Sequence, residues 1–284
     1  MAIWFEEYHT DNVKLGIHVK EQLFHGKSEY QEIDVFDSDE FGRVLTSNGS
    51  VIFTEQDEFV YDEMVVHVPM AVHPHVRTVL VIGGGDGGVA RELGRYDEIE
   101  QIDVVEPDRM FVDVSKKFFH DNAVGLEDKR VRIHYEDGLR FLRKCNDAYD
   151  LIINDATDPL GHEAGLFTKE FYGNCFKALH DDGIMVYQHG SPFYMEDEET
   201  CRAMHKKAFR SFPINRVYQA HIPTCAAGYW LFGFASKKYH PLHDFDAERW
   251  DGRNIKTWYY TTHLHRGAFM LPKYVEDMLK EEED

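Results

Sequence analysis

The chain has 284 residues, 43% of them apolar and including 20 Phe and 15 Tyr, enough to build one large domain or two unequal ones. A formal charge of −20 sets it against phosphate backbones and argues against nucleic acid as a partner. Acid excess alone only favours solubility; it gains meaning where acids converge on a site that small cations could enter.

No run of about 18 apolar residues occurs, which argues against a membrane span. The opening MAIWFEEYHTDN lacks the basic-then-apolar pattern of a secretory signal. Cys145, Cys175, Cys201 and Cys225 are too scattered for a disulfide frame or a zinc site and fit reduced thiols in a cytoplasmic protein.

Residues up to about 56 read as strands. LGIHVKEQLFHGK, YQEIDVFDS and GRVLTSNGSVIFTE alternate in character, and Asn48-Gly49 is a two-residue hairpin turn. DEFVYDEMVVHVPM follows with helical spacing that lets Phe59, Met64 and Val68 share a face. From Val79 onward, the short apolar runs TVLVI, QIDVV, VRIHY, DLIIN and GIMVYQ are separated by the helical stretches VARELGRY, MFVDVSKKFF, LRFLRKC and TKEFYGNCFKAL. That alternation predicts a parallel sheet covered by helices on both faces. NRVYQAHI and YWLFGFAS read as closing strands, and KEEED as a solvated tail. The expected fold is α/β: a small N-terminal β-strand domain over 1–56 and a Rossmann-like domain over 57–284.

Gly83, Gly85 and Gly88 fit G-x-G-x-x-G between a strand and a helix, the turn that lets a backbone approach a nucleotide. Glu106 ends the next strand, about 20 residues on, where a carboxylate accepts from ribose hydroxyls. Asp137, followed by Gly138 in YEDG, stands near the expected adenine edge. These acids could instead only cap helices, but their strand-turn-helix context favours an adenosine site. Asp86, inside the glycine turn, would repel the pyrophosphate of NAD. A ligand with adenosine, a sulfonium, an amine and no phosphate would be attracted, which describes S-adenosylmethionine and its decarboxylated form.

The fourth strand runs into DLIINDATDPLGHEAGLF and places Asp155 and Asp158 just past its carboxyl end, where open α/β sheets hold ligands. Such a pair could bind a metal, bind an amine or act as a base. No ligand-spaced cluster accompanies it, so a metal is not expected there. The pairs His73-Pro74-His75 and His263-Leu264-His265 are not read as metal ligands either.

At these residues the chain resembles the polyamine aminopropyltransferases, the spermidine synthase family. KSEYQEIDVF, FGRVL, TEQDEFVYDEM, VLVIGGGDGG, VVEPD, DATDP, LFTKEFY, IPT, GYW and HRGAFMLP follow the family order over nearly the whole chain. The resemblance implies a β-stranded N-terminal domain on a Rossmann-like, methyltransferase-type catalytic domain, assembled as a homodimer or homotetramer. It implies transfer of an aminopropyl group from decarboxylated S-adenosylmethionine, a co-substrate rather than a bound cofactor, to a polyamine, with putrescine the default acceptor. By motif, Gln31 would contact the nucleoside donor, Asp86 its aminopropyl ammonium, Glu106 the ribose and Asp137 the adenine amino group. Asp155 would be the base, aided by Tyr61, and Tyr61 and Asp158 would line the acceptor path. Asp62, Cys225 and Trp230 belong to the acceptor side in the same reading, with Tyr229 and Trp4 as further aromatic walls.

Several positions depart from the family pattern. Phe53 stands where Gln is usual, Asp62 where His or Gln is usual, Cys225 in place of Tyr and Thr261 in place of Asn. His162-Glu163-Ala164 replaces Pro-Ala-Glu. The departures are read as gathering on the acceptor side and the gating loop, which points to a changed acceptor; Cys for Tyr opens space there, and Asp62 adds a charge near the donor tail that would repel the carboxylate of intact S-adenosylmethionine. Cys225 is not expected to be a nucleophile, since direct transfer needs no covalent step. Three alternatives use the same residues. Methyl transfer to an amine would be accompanied by loss of Asp86. Transfer of the whole aminocarboxypropyl group would need a cation for the donor carboxylate, and neither GGGDGG nor VYDEM contains one. A non-catalytic polyamine or nucleoside sensor would have no use for Asp155, Asp158 and Tyr61 together.

Overall fold

The computed structural model describes residues 3–156 and 163–283. Its first five strands, β1 (Ile3–Thr10), β2 (Val13–Lys27), β3 (Glu32–Ser38), β4 (Arg43–Ser47) and β5 (Ser50–Thr54), form one antiparallel sheet in chain order. Asn48 and Gly49 both take positive φ, 51° and 83°, the geometry whose twist matches a tight hairpin, and Ser47 pairs with Ser50 across it.

The next element is α1 (Glu58–Val72). One apolar face was expected; instead the helix is buried on nearly every side from Val60 to Val72, Pro69 included. It is a central helix packed between layers, so its apolar spacing marked the helix but not its burial on the remaining faces.

The catalytic sheet then begins. The chain runs β6 (Thr78–Ile82), α2 (Gly88–Leu93), β7 (Gln101–Val105), α3 (Arg109–Phe118), α4 (His120–Ala123), β8 (Val131–His134), α5 (Gly138–Leu142) and β9 (Tyr149–Asn154). It continues through α6 (Lys169–Ala178), β10 (Leu179–Gly190), α7 (Met195–Phe209), β11 (Ile214–Ala220) and β12 (Trp230–Ser236). The seven strands lie in the order β11-β12-β10-β9-β6-β7-β8. β6 to β10 are mutually parallel, while β11 and β12 close the edge antiparallel. The sheet is therefore mixed. Near-continuous apolar runs such as TVLVI and DLIIN are buried on both faces, as parallel strands under two helix layers must be.

Three C-terminal helices, α8 (Ala247–Asp251), α9 (Thr262–Ala268) and α10 (Lys273–Glu283), complete the structure. α10 packs near α7, where Arg202 is 2.7 Å from Glu281. α7 had no sequence signal: it starts among acids, and every one of its turns carries a charged residue.

The order of strands fixes where a ligand can sit. The chain leaves β6 toward β7 and β8, then returns to β9 on the other side, so the switch point lies between β6 and β9. The N-terminal sheet closes over that crevice. Ile33, Val35, Leu45 and Phe53 pack against Phe111, Val114 and Phe119 from the α3 region, with the Phe53 and Phe119 rings edge to face at 4.7 Å between centroids.

Candidate active site

The glycine turn after β6 is shaped by close contacts. Gly83 has φ of 83°, and a Cβ there would meet the Asp155 backbone at 3.0 Å. A Cβ on Gly85 would strike Glu106 Cγ at 2.7 Å. Backbone must pass at both points for the ends of β6, β7 and β9 to converge. The Asp155 amide donates to the Ile82 carbonyl at 2.7 Å, which sets the base of that side chain at the switch point.

At this convergence lies a cavity of about 90 Å³, lined by Gln31, Ser47, Ile52, Phe53, Glu58, Tyr61, Asp62, Gly83, Gly84, Asp86, Glu106, Phe111, Asp155 and Glu163. Six of these side chains are carboxylates and none is Lys, Arg or His. Crowding and burial show in their acidities. Burial pushes Glu106 up to about 8, with Glu163 and Asp108 adding to the rise against a hydrogen bond from the Asp108 amide. Asp62, Asp86 and Asp155 are all raised, burial first in each case. Among charges, Glu58 and Asp86 press on Asp62, Glu58 on Asp86, and Asp86 on Asp155. Empty, such a site holds protons; a cation entering it would displace them.

A polar lattice joins the two domains beside this cavity. Glu106 accepts from the Asp108 amide at 2.8 Å, and Asp108 caps α3 by accepting from the Met110 amide at 2.9 Å. The other Asp108 oxygen accepts from Ser28 Oγ at 2.7 Å and from Gln31 Nε2 at 3.0 Å, while Ser47 Oγ donates to Gln31 Oε1 at 2.5 Å. Gln31 is thereby fixed as an amide of known orientation on the cavity wall.

Tyr61 stands between this cavity and a second one. Its buried hydroxyl lies beside the Asp155 carboxylate, and burial first, then that carboxylate's charge and hydrogen bonding, push its pKa well above the usual phenol value. Beyond it opens a chamber of about 430 Å³, reached also by Ser47 and Ile52. Its walls include Glu7 from β1, Gln188 and His189 from β10, and Cys225 and Trp230. The loop carrying Cys225 is anchored by buried Asp57, which accepts from Thr224 Oγ1 at 2.6 Å and the Thr224 amide at 3.1 Å. Burial raises the Cys225 thiol far above its usual value, so it is neutral. Both nitrogens of buried His189, Ser191 Oγ and Trp230 Nε1 have no partner among the described residues.

Two family models match most of the chain. Residues 3–55 match one described as spermidine synthase tetramerisation domain, and residues 58–247 one described as spermine/spermidine synthase domain. The chain belongs to the spermine/spermidine synthase family. A polyamine aminopropyltransferase of Agathobacter rectalis is 69% identical over 283 residues, covering 100% of this chain and 99% of that protein. One from Lachnospira eligens is 67% identical over 284 residues, with full coverage of both. Among solved structures, a spermidine synthase in complex with the transition state analogue AdoDATO superposes with a TM-score of 0.96 at 37% identity, covering 98% of this chain and 95% of that one. The spermidine synthase from Thermotoga maritima gives 0.94 at 37% identity, covering 98% and 94%. The chain is accordingly an enzyme, a polyamine aminopropyltransferase, which moves an aminopropyl group from decarboxylated S-adenosylmethionine to a polyamine.

The fold brings Gln31, Tyr61, Asp62, Gly83, Asp86, Glu106 and Asp155 to one cavity. Gly85 sits behind it against Glu106. Asp137 caps α5 by accepting from the Arg140 amide at 2.7 Å, with Gly138 buried at the first position of that helix; neither lines the cavity. Cys225 and Trp230 line the chamber instead. Asp158 and His162 lie outside the described residues. Trp4 is exposed on the N-terminal sheet, 5.4 Å from the His18 ring, and Tyr229 stacks on His221, so neither is a chamber wall. His265 is engaged at both nitrogens, by Tyr260 and the Pro241 carbonyl.

The family departures divide between the two cavities. Phe53 and Asp62 line the small cavity with the glycine turn, and only Cys225 among the three faces the chamber. Ser47, Glu58, Phe111 and Glu163 were not anticipated as walls. Ser47 and Glu58 look in the sequence like an ordinary hairpin residue and an ordinary helix-start acid, and only the docking of the two domains gives them a site.

Proposed function

We propose that putrescine is the acceptor and that Asp155 is the base in its aminopropylation to spermidine. The observation that carries the donor half of this reading is the small cavity with six carboxylates and, among the described residues, no basic side chain, a container for positive charge beside a nucleoside-type glycine turn. Gln31, Gly83, Gly85, Glu106, Asp137 and Gly138 hold the nucleoside of decarboxylated S-adenosylmethionine, Asp86 its aminopropyl ammonium. The acceptor lies in the chamber past Tyr61, with Cys225 and Trp230 among its walls; Asp62 faces the small cavity, and Asp158 is assigned to the acceptor by its sequence motif alone.

The chemistry needs little from the protein at the electrophile, because the sulfonium already activates the adjacent methylene. The acceptor ammonium, with a pKa of about 10, has no lone pair until it loses a proton. Asp155 takes that proton; burial and the neighbouring Asp86 carboxylate raise its pKa and so make it a stronger base than an exposed aspartate. The freed nitrogen lone pair attacks the methylene, the C–S bond breaks, and its electrons return to sulfur, leaving neutral methylthioadenosine. Tyr61, a neutral phenol next to Asp155, orients the amine. Holding nucleophile and sulfonium in line supplies much of the rate.

We place the domain boundary between residues 56 and 57, in the link from β5 to α1, and the assembly as a homodimer or homotetramer through the N-terminal sheet in the cytoplasm. Mass spectrometry of products from putrescine, cadaverine, agmatine, spermidine and diaminopropane, each with either donor, tests the reading. An aminopropyl increment on putrescine with the decarboxylated donor is expected. A methyl increment with intact S-adenosylmethionine, or turnover confined to another amine, would overturn it.

A further inference from the structure

A cation lies directly behind the small cavity, where the sequence alone offered none. Arg91, on α2, donates from Nη2 to Glu58 Oε2 at 2.7 Å and from Nη1 to Glu58 Oε1 at 3.2 Å, a two-pronged pairing. Nη2 also reaches Asp62 Oδ2 at 3.4 Å, Nη1 reaches Asn122 Oδ1 at 3.2 Å, and Nε reaches Glu92 Oε1 at 3.1 Å. Glu58, Asp62 and Asp86 line the cavity, and Arg91 does not.

The guanidinium is thus occupied along its whole edge, and two carboxylates stand between it and any ligand. Unscreened, an arginine here would be a ready partner for a ligand carboxylate, whose two oxygens match its fork of donors. S-adenosylmethionine carries that carboxylate on the carbon from which decarboxylated S-adenosylmethionine has lost it.

We propose that Glu58 and Asp62 form a screen in front of Arg91, so that the cavity admits the amine-ended tail of the decarboxylated donor and rejects the carboxylate-bearing tail of S-adenosylmethionine. This rests on reading the small cavity as the donor site. Asp86 faces the ammonium; Glu58 and Asp62 determine which tail can accompany it. Asp62 contributes a charge where the family pattern has a neutral amide or an imidazole, so in this chain the screen has two carboxylates rather than one. Glu92, which holds the far side of Arg91, is in turn held by Arg95 at 2.6 Å, which keeps the guanidinium from swinging forward.

A purely structural role, tying α1 to α2, would leave donor choice untouched when the screen is removed, and calorimetric titration separates the two. The full-length protein, Glu58→Ala/Asp62→Ala and the same double variant carrying Arg91→Gln are titrated with each donor. The unmodified protein is expected to bind the decarboxylated donor at least 100-fold more tightly. The double variant should bind S-adenosylmethionine at least tenfold more tightly than the unmodified protein does, and Arg91→Gln should remove that gain. Unchanged affinity for S-adenosylmethionine in a folded double variant, or a gain that survives loss of Arg91, would overturn the screen while leaving the donor site standing. Equal binding of both donors by the unmodified protein would overturn the donor reading itself. Should the alanine pair fail to fold, Glu58→Gln/Asp62→Asn removes the charges with the shapes kept and gives the same comparison.

Discussion

At one end of the site, six carboxylates crowd about 90 Å³; at the other, about 430 Å³ is walled mostly by uncharged side chains, Cys225, Trp230, His189 and Gln188 among them, with Glu7 and Asp197 as its acids. Tyr61 and Ser47 belong to both. The first end selects by charge, since any ligand that fills it must neutralise raised carboxyls. The second selects by length and shape, since its unpartnered nitrogens and hydroxyl can accommodate more than one pattern of amines. An enzyme that joins a fixed cationic donor to a choice of acceptors needs this division.

The sharpest way to break the comparison is at the residue between the two ends. Asp155→Asn keeps shape and removes the proton acceptor; turnover should fall by about 10²–10⁴-fold. Donor affinity, read by calorimetry, should stay within about threefold. Near-normal turnover would remove Asp155 as the base. Next in size is the charged end. Asp86→Asn should weaken the decarboxylated donor by about 10- to 100-fold, the range of a lost charge-assisted contact. Methylthioadenosine, which lacks the amine, should bind almost as before; equal losses for both ligands would contradict the assignment of Asp86 to the ammonium.

A third effect concerns stability. Glu106 keeps its proton up to about pH 8 in the fold but only to about pH 4.3 in the unfolded chain. Between those values the folded state binds more protons, so the Glu106 contribution to apo stability falls as pH rises. Glu106→Gln should flatten the decline of the thermal transition between pH 5 and pH 8, followed by calorimetry at fixed ionic strength; an unaltered slope would mean that Glu106 is ionised throughout. The smallest effect is expected at the shape-selecting end. Cys225→Tyr fills space in the chamber and should change the ratio of kcat/KM between spermidine and putrescine severalfold at most, a packing-sized effect, with donor affinity the same. A changed donor affinity would show that the two ends are not separate.

The same contrast explains what was legible in the sequence. Gly83, Asp86, Glu106 and Asp155 sit at strand ends, and a parallel sheet sends consecutive strand ends to one edge, so their convergence followed from alternation alone. Arg91 could not be read that way. It lies on the helix after the glycine turn, and only the packing of α1 against α2 sets it behind Glu58 and Asp62. The position of Phe53 and Asp62 on the small cavity, apart from Cys225, was hidden for the same reason: both come from elements whose position depends on how the N-terminal sheet and α1 dock, and docking has no period in a sequence. α1 itself was recognised as helical, but its burial on all sides was not, because its polar residues are satisfied internally. Glu63, for one, accepts from the backbone amides of Trp258, Tyr259 and Tyr260 at 2.7–2.8 Å.

The account stands on a donor cavity that holds protons until a cation replaces them. Calorimetric titration of the decarboxylated donor at pH 7, repeated in buffers of different ionisation enthalpy, measures the protons exchanged on binding. Net proton release is predicted, with markedly less release for methylthioadenosine, which brings no positive charge. No release, or proton uptake with the cationic donor, would contradict it.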